Sequence, residues 1–205
     1  KSVLEYRDKG YIREAILNYM ALVGWTPSNG QEQMSIEKMT ELFDLGDVNT
    51  ANPIFDLVKL EFLNGVWIRS IENLKERLSD YYKKDKEIIG ILNSDKSGIW
   101  INASKLRMKT LKDFKSLANI KKQRKYSKEE KQKAKKLLEF LNKKLREDWR
   151  GKKLLAEIKD FSAKEKTSFK QIYFLMTGKE KGIGILELNE IYGKEFFIKN
   201  LKGND

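Results

Sequence analysis

The chain has 205 residues, 42 Lys and Arg against 30 Asp and Glu, and neither His nor Cys. That length supports one large domain or two to three small ones with a real core. The composition removes disulfides, thiolate nucleophiles, imidazole bases, Ser–His–Asp triads and histidine or thiolate metal ligands, so no catalytic or metal residue is assigned and a binding module is expected.

The elements read as helical from the start. Residues 11–23 place Ile12, Ala15, Ile16, Tyr19, Met20 and Val23 at three- and four-residue steps, with Gly24 as a stop. Pro27 and the Ser-Asn-Gly run at 28–30 predict a turn. Ser35 is expected to cap a second helix through about Leu45. Pro53 precedes a third helix with Leu57, Leu60, Leu63 and Trp67 on one stripe, and Ser70 is expected to cap a fourth over about 71–83. Segment 96–103 reads equally as a short strand or a helix entry. Thr110…Asp113, Ser127…Glu130 and Ser162…Glu165 have capping-box spacing, in which a hydroxyl and an acid satisfy each other's orphan N–H groups. Apolar stripes follow at Ala134, Leu137, Leu138, Leu141 and Leu145, and at Phe169, Ile172, Tyr173 and Met176, with Gly178 and Gly193 as punctuation. No sustained period-2 alternation marks a sheet, so the fold class is all-α.

The net charge of +12 points to a polyanion partner. Residues 1–72 hold 7 Lys and Arg against 11 Asp and Glu, a net of −4. Residues 73–126 hold 15 against 6, a net of +9, and residues 127–205 hold 20 against 13, a net of +7. The polyanion-facing surface is therefore expected in the last two-thirds, and the chain is divided at 72 and 126. No apolar stretch approaches the ~18–20 residues needed to cross a bilayer, so no membrane partner is expected. The opening Lys1-Ser2-Val3-Leu4-Glu5-Tyr6 does not resemble a signal peptide and has no initiator Met, so a cytoplasmic chain cut from something longer is expected.

Motifs that carry chemistry are scarce. There is no Walker A loop, and Gly182-Ile183-Gly184-Ile185 falls short of a dinucleotide fingerprint. Glu129-Glu130 and Glu147-Asp148 sit among lysines and read as solvated helix faces. Lys121-Lys122-Gln123-Arg124-Lys125 is equally a phosphate contact or a solvated linker. The stretch Lys105-Leu106-Arg107-Met108-Lys109-Thr110-Leu111 is more specific in type, because basic residues precede a capped helix and Trp100 lies close in sequence. An Arg in such a place either forks onto a base edge or pairs with a local carboxylate such as Asp113.

Four blocks bear a family resemblance. Glu5 to Trp25 (EYRDKGYIREAILNYMALVGW) and Phe55 to Arg69 (FDLVKLEFLNGVWIR) closely resemble bacterial glutamyl-tRNA synthetase. Arg107-Met108-Lys109-Thr110-Leu111 follows, then Leu175-Met176-Thr177-Gly178 with Gly184-Ile185-Leu186-Glu187-Leu188 and Gly193-Lys194-Glu195, in family order. The resemblance implies the C-terminal part of that enzyme. Residues 1–72 would be the remainder of a helical domain that contacts the tRNA stem. Residues 73–126 and 127–205 would be two helical anticodon-binding domains, a helix cage. The part that binds ATP and Mg, with its His-containing motif, would lie outside the chain. The chain alone would then hold no cofactor and not aminoacylate. Its partner would be the tRNA for glutamate, bound by a monomer.

The same resemblance assigns residues. Arg107 matches an Arg that reads the third anticodon base, a cytosine in glutamate tRNAs. Cytosine offers the acceptors O2 and N3, whereas the guanine of glutamine tRNAs offers donors. Arg has only donors, so it complements cytosine and is left unpaired against guanine. Family members that charge both tRNAs tend to carry Gln there, so Arg107 implies discrimination. Lys59 matches a backbone-contacting lysine, and Lys105 and Lys109 join it. Thr177, Ile183 and Ile185 fall among the anticodon contacts, and Ile185 matches a leucine. Two departures stand out: Tyr173 replaces an anticodon-contacting Arg, and Gly182-Ile183 replaces a polar-then-proline pair. Tyr173 would stack on a base or pack in the core. The related helix cage of class I lysyl-tRNA synthetase is an alternative that the first two blocks disfavour. A basic helical scaffold for protein partners is an alternative of a different kind.

Overall fold

The computed structural model describes residues 2–49, 54–118 and 125–203. Thirteen α-helices occur among them: α1 (Val3–Asp8), α2 (Arg13–Gly24), α3 (Ile36–Leu42), α4 (Leu57–Ser70), α5 (Leu74–Tyr81), α6 (Lys86–Leu92), α7 (Ser97–Lys105), α8 (Asp113–Ala118), α9 (Lys128–Leu145), α10 (Gly151–Lys164), α11 (Phe169–Thr177), α12 (Ile185–Tyr192) and α13 (Lys194–Lys202). The described residues hold no strand, only an isolated bridge between Trp25 and Val48, so the all-α expectation is borne out.

Local chemistry explains most helix starts. Ser127 and Glu130 form the expected reciprocal box at α9. Ser2 and Glu5 form another at α1. The Ser35 hydroxyl accepts from the Lys38 N–H, and Asp56 accepts from the Val58 and Lys59 N–H groups to open α4. Several expectations shift. Helix α3 stops at Leu42. Ser70 ends α4, donating back to the Trp67 carbonyl, and α5 starts after Asn73 instead. Ser162 lies inside α10, where its hydroxyl bonds the Thr167 carbonyl; Ser168, accepting from the Gln171 N–H, caps α11. Segment 96–103 is helical, within α7. Pro53 lies outside the described residues.

The chain divides into two compact units, residues 1–94 with 104–115, and residues 95–103 with 116–205. These borders differ from the charge boundaries at 72 and 126. In the first unit α2 packs on α4. Tyr11, Tyr19, Leu60 and Leu63 form its core, flanked by Tyr6, Ile16 and Trp67. Burying each large apolar side chain contributes roughly 1.5–3 kcal/mol. Met20 and Leu57, expected on apolar stripes, are exposed instead. A buried amide organises the polar side of this core. Asn18 Oδ1 accepts from the Met34 N–H at 3.1 Å and the Trp67 indole N–H at 2.9 Å.

In the second unit α9 packs against α10 and α13, and α11 against α13. Ala134, Leu137, Leu141 and Leu145 are buried on α9 as the stripe predicts, and Trp149, Phe161 and Phe197 are buried in the same unit. On α11, Ile172 and Met176 are buried but Phe169 is exposed. Gly178 (φ +72°) closes α11 in the left-handed conformation. Trp100 is buried, its ring edge-on to Tyr192 at 6.0 Å. It is core, with no ring face left for a base.

Candidate nucleic-acid interface

The Arg107 loop lies between α7 and α8 in the first unit, and nearly every peptide around it is held. The Ser104 carbonyl accepts from the N–H groups of Arg107 (2.8 Å) and Met108 (3.1 Å). Asp113 Oδ2 accepts from the N–H groups of Lys109 (2.8 Å) and Thr110 (2.9 Å), the carboxylate half of the expected box. The buried Tyr82 hydroxyl lies 2.8 Å from the Lys112 carbonyl and 3.1 Å from that of Leu111, and accepts from the Lys115 N–H at 3.2 Å. Burial pushes the Tyr82 phenol up to about 12, so it stays a donor at neutral pH.

Two glycines and an asparagine brace this loop from the other side. The Gly10 carbonyl accepts from the Leu111 N–H at 2.9 Å. Gly10 has φ +87°, and a Cβ there would lie 2.7 Å from the Lys112 nitrogen. On α4, a Cβ on Gly65 would lie 3.2 Å from the Met108 carbonyl oxygen. Beside it Asn64, fully buried, accepts from the Ile12 N–H at 2.9 Å and donates to the Lys109 carbonyl. Met108 is 1% exposed and Leu106 64% exposed, so the loop is anchored at Met108 while its tip, with Arg107, faces solvent. A cationic fork on a fixed backbone is the arrangement that reads a hydrogen-bonding edge with least ordering cost.

The candidate backbone-contacting lysines surround the same unit. Lys109 Nζ lies 3.2 Å from Glu61 Oε2, and Lys59 Nζ lies 2.9 Å from Glu32 Oε1. Exposed pairs of this type are worth about 0–1 kcal/mol, so a phosphate can replace the carboxylate partner. Lys105 is half-buried in the last turn of α7.

The remaining candidates lie in the second unit, around the end of α11. Tyr173 is half-buried and its hydroxyl donates to the Ile183 carbonyl at 2.8 Å. A Cβ on Gly182 would come within 2.5 Å of that hydroxyl. The two departures from the family pattern are therefore in contact: glycine at 182 makes room for the tyrosine at 173. Thr177 is 1% exposed, with its Oγ1 donating to the Tyr173 carbonyl at 2.7 Å and accepting from the Lys179 N–H. Ile183 is 1% and Ile185 7% exposed. Of this group, Tyr173 alone offers appreciable surface. Lys179, which sequence reasoning did not single out, is buried, and its Nζ donates to the Ser116 carbonyl at 2.6 Å; burial lowers its pKa. Lys131, Lys135, Lys143 and Lys144 are exposed on α9. Of the run 121–125, residues 121–124 lie outside the described residues.

Sequence reasoning found the loop but not its brace. Gly10, Asn64 and Gly65 sit in the two blocks of strongest resemblance, yet a glycine's reason for being there is visible only when its neighbour in space is known. Among the described residues no group of three or more acidic side chains could hold a metal ion, and no helix is long and apolar enough to cross a membrane.

The described residues form an all-helical module with a braced, exposed arginine and many exposed lysines, features that suit an anionic partner. Comparison with known proteins narrows this. Residues 60–203 match the family model described as anticodon binding domain, and residues 1–62 match that of the class I tRNA synthetase (E and Q) catalytic domain. The chain belongs to the anticodon binding domain family. It is 32% identical over 211 residues to glutamate–tRNA ligase 1 of Pseudothermotoga lettingae, a match covering 98% of the chain and 44% of that protein. It is 38% identical over 122 residues to glutamate–tRNA ligase of Cellvibrio japonicus, covering 58% of the chain and 22% of that protein. The chain thus matches between about a fifth and under half of these relatives' length. A glutamate-tRNA synthetase structure from Elizabethkingia anophelis shares the fold, with a TM-score of 0.71 at 23% identity over 96% of this chain and 41% of that one. A glutamate–tRNA ligase structure from Elizabethkingia meningosepticum gives 0.72 at 23% identity.

Proposed function

We propose that this chain is the tRNA-binding part of a glutamate–tRNA ligase, the enzyme that joins glutamate to its tRNA using ATP. The observation that carries the reading is the exposed Arg107 on a loop braced by Gly10, Asn64, Gly65 and Tyr82, in a chain of the anticodon binding domain family. Arg107 reads the third anticodon base and prefers cytosine to guanine. Lys59, Lys105 and Lys109 contact the phosphate backbone. Tyr173, half-buried, offers the surface it retains to a base, while Thr177, Ile183 and Ile185 shape the turn that presents it. Residues 1–72 serve the tRNA stem, and residues 73–126 and 127–205 serve the anticodon.

Large exposed apolar side chains gather in the segment matched to the catalytic domain, among them Leu45, Ile54, Val58 and Phe62, which supports its packing against the remainder of such a domain. ATP and Mg belong to that remainder. A cytoplasmic setting suits the cysteine-free sequence.

Filter binding with glutamate and glutamine tRNAs tests the proposal. The glutamate tRNA is expected to bind more tightly, and Arg107→Gln to remove the difference. Equal binding of both tRNAs before and after the substitution would overturn the role of Arg107. Weak binding that ignores RNA structure would favour a protein-interaction scaffold.

A further inference from the structure

The Asn64 side chain joins two parts of the first unit that are far apart in sequence. Its Oδ1 takes the N–H of Ile12, the residue that opens α2 without a side-chain cap of its own. Its Nδ2 gives a hydrogen bond to the Lys109 carbonyl, two residues after Arg107. Ile12 lies in the stretch matched to the synthetase catalytic domain and Lys109 in the stretch matched to the anticodon binding domain. The Ile12 N–H is buried and the Lys109 carbonyl part-buried, and both are backbone groups with strong hydrogen-bonding demand, so the amide fixes the height of the loop over α4 rather than merely filling space. Gly65 sets the same distance sterically, because any side chain there meets the Met108 carbonyl.

We infer that Asn64 is a positioning residue for base selection: by holding the Lys109 carbonyl to the start of α2, and with Gly65 fixing the close approach, it sets the angle at which Arg107 meets the anticodon. The inference rests on the reading of Arg107 proposed above. A bidentate contact discriminates only while donor and acceptor edges stay in register, so slackening the loop lowers selectivity before it lowers affinity.

The test uses the 205-residue chain and two otherwise identical glutamate-tRNA transcripts carrying cytosine or guanine as the third anticodon base. Asn64→Asp keeps the acceptor for Ile12 and replaces the donor to Lys109 with an oxygen that repels its carbonyl. Gly65→Ala presses on the Met108 carbonyl, and on the flexible Arg69 guanidinium at the same 3.2 Å, and leaves the Asn64 amide in place. The unaltered chain should favour cytosine by roughly 5- to 150-fold, the range for one good bidentate pair. Each variant that circular dichroism shows to be folded should lose about twofold or more of that ratio, while the guanine transcript binds as before. In the double variant with Arg107→Gln the Asn64 change should have no further effect on the ratio. If Asn64→Asp does not fold, Gly65→Ala decides alone. Full selectivity in the folded variants, or an equal loss for both transcripts, overturns the positioning role while leaving Arg107 as reader. No effect of Arg107→Gln on the ratio overturns the reading itself, and the positioning role with it.

Discussion

Replacing Gly10 with Ala probes the brace where backbone meets backbone. Gly10 has φ +87°, and the added Cβ would lie 2.7 Å from the Lys112 nitrogen and 2.9 Å from that of Leu111. Neither is the tip of a flexible side chain, so relief requires the two segments to part. The left-handed conformation alone costs an L residue roughly 1–2 kcal/mol. Forcing a methyl into a filled space adds about 1–3 kcal/mol. Parting the segments also weakens the hydrogen bond from the Leu111 N–H to the Gly10 carbonyl, worth about 1 kcal/mol. A loss of roughly 3–6 kcal/mol is expected from these three effects. Gly30 supplies the control: it has φ +68° but nothing within 4 Å of its Cβ position, so Gly30→Ala should show the backbone cost alone. Urea unfolding followed by tryptophan fluorescence reads both, since Trp25 and Trp67 belong to the first unit and Trp100 and Trp149 to the second. If Gly10→Ala costs no more than Gly30→Ala, close approach to the Arg107 loop is not why glycine stands at position 10.

Three further outcomes follow from the same contacts. Asn18→Leu strands the Met34 N–H and the Trp67 indole N–H, and should lower stability by about 3 kcal/mol in urea titration. Burial, with the Glu61 carboxylate adding to it at Tyr11, pushes the Tyr11 and Tyr82 phenols up to about 12. The unfolded chain releases these protons near pH 10 and the folded chain retains them. Stability should therefore fall between about pH 10 and 12, and fall less steeply in Tyr11→Phe, as urea midpoints across that range would record. Lys109→Ala should reduce the slope of log affinity for tRNA against log salt by just under one and weaken both tRNAs alike; a change confined to one tRNA would contradict a phosphate contact.

Much of the architecture was legible because helices announce themselves locally. The Ser127–Glu130 box and the α9 stripe of Ala134, Leu137, Leu141 and Leu145 appear in the structure as read, since both depend on residues three or four apart. Ser70 and Ser162 misled for the same reason. Each has the residue type of a cap, but each lies within a helix and its hydroxyl donates to a carbonyl, that of Trp67 or of Thr167, instead of accepting from an orphan N–H. Met20 sits at an apolar spacing on α2 yet remains exposed, because the partner that decides which face is buried is α4, more than thirty residues away in sequence.

At the candidate site the division is sharper. The sequence by itself limited the candidate site to donor-based, basic chemistry: with no His or Cys and a net charge of +12, contact with a polyanion falls to Arg and Lys, and the family block at the loop between two helices carries one arginine, Arg107, with Lys109 beside it. Which residues hold that arginine in place was decided only in three dimensions. Gly10, Asn64 and Tyr82 lie 97, 43 and 25 positions before it in the numbering, and each acts through a backbone group of the loop rather than through a side chain that sequence could advertise. The tertiary structure likewise explained Gly182 through Tyr173, and took Thr177, Ile183 and Trp100 out of solvent. Residue type fixes what a group can bond to, whereas burial and the path of a distant backbone fix whether it is free to do so.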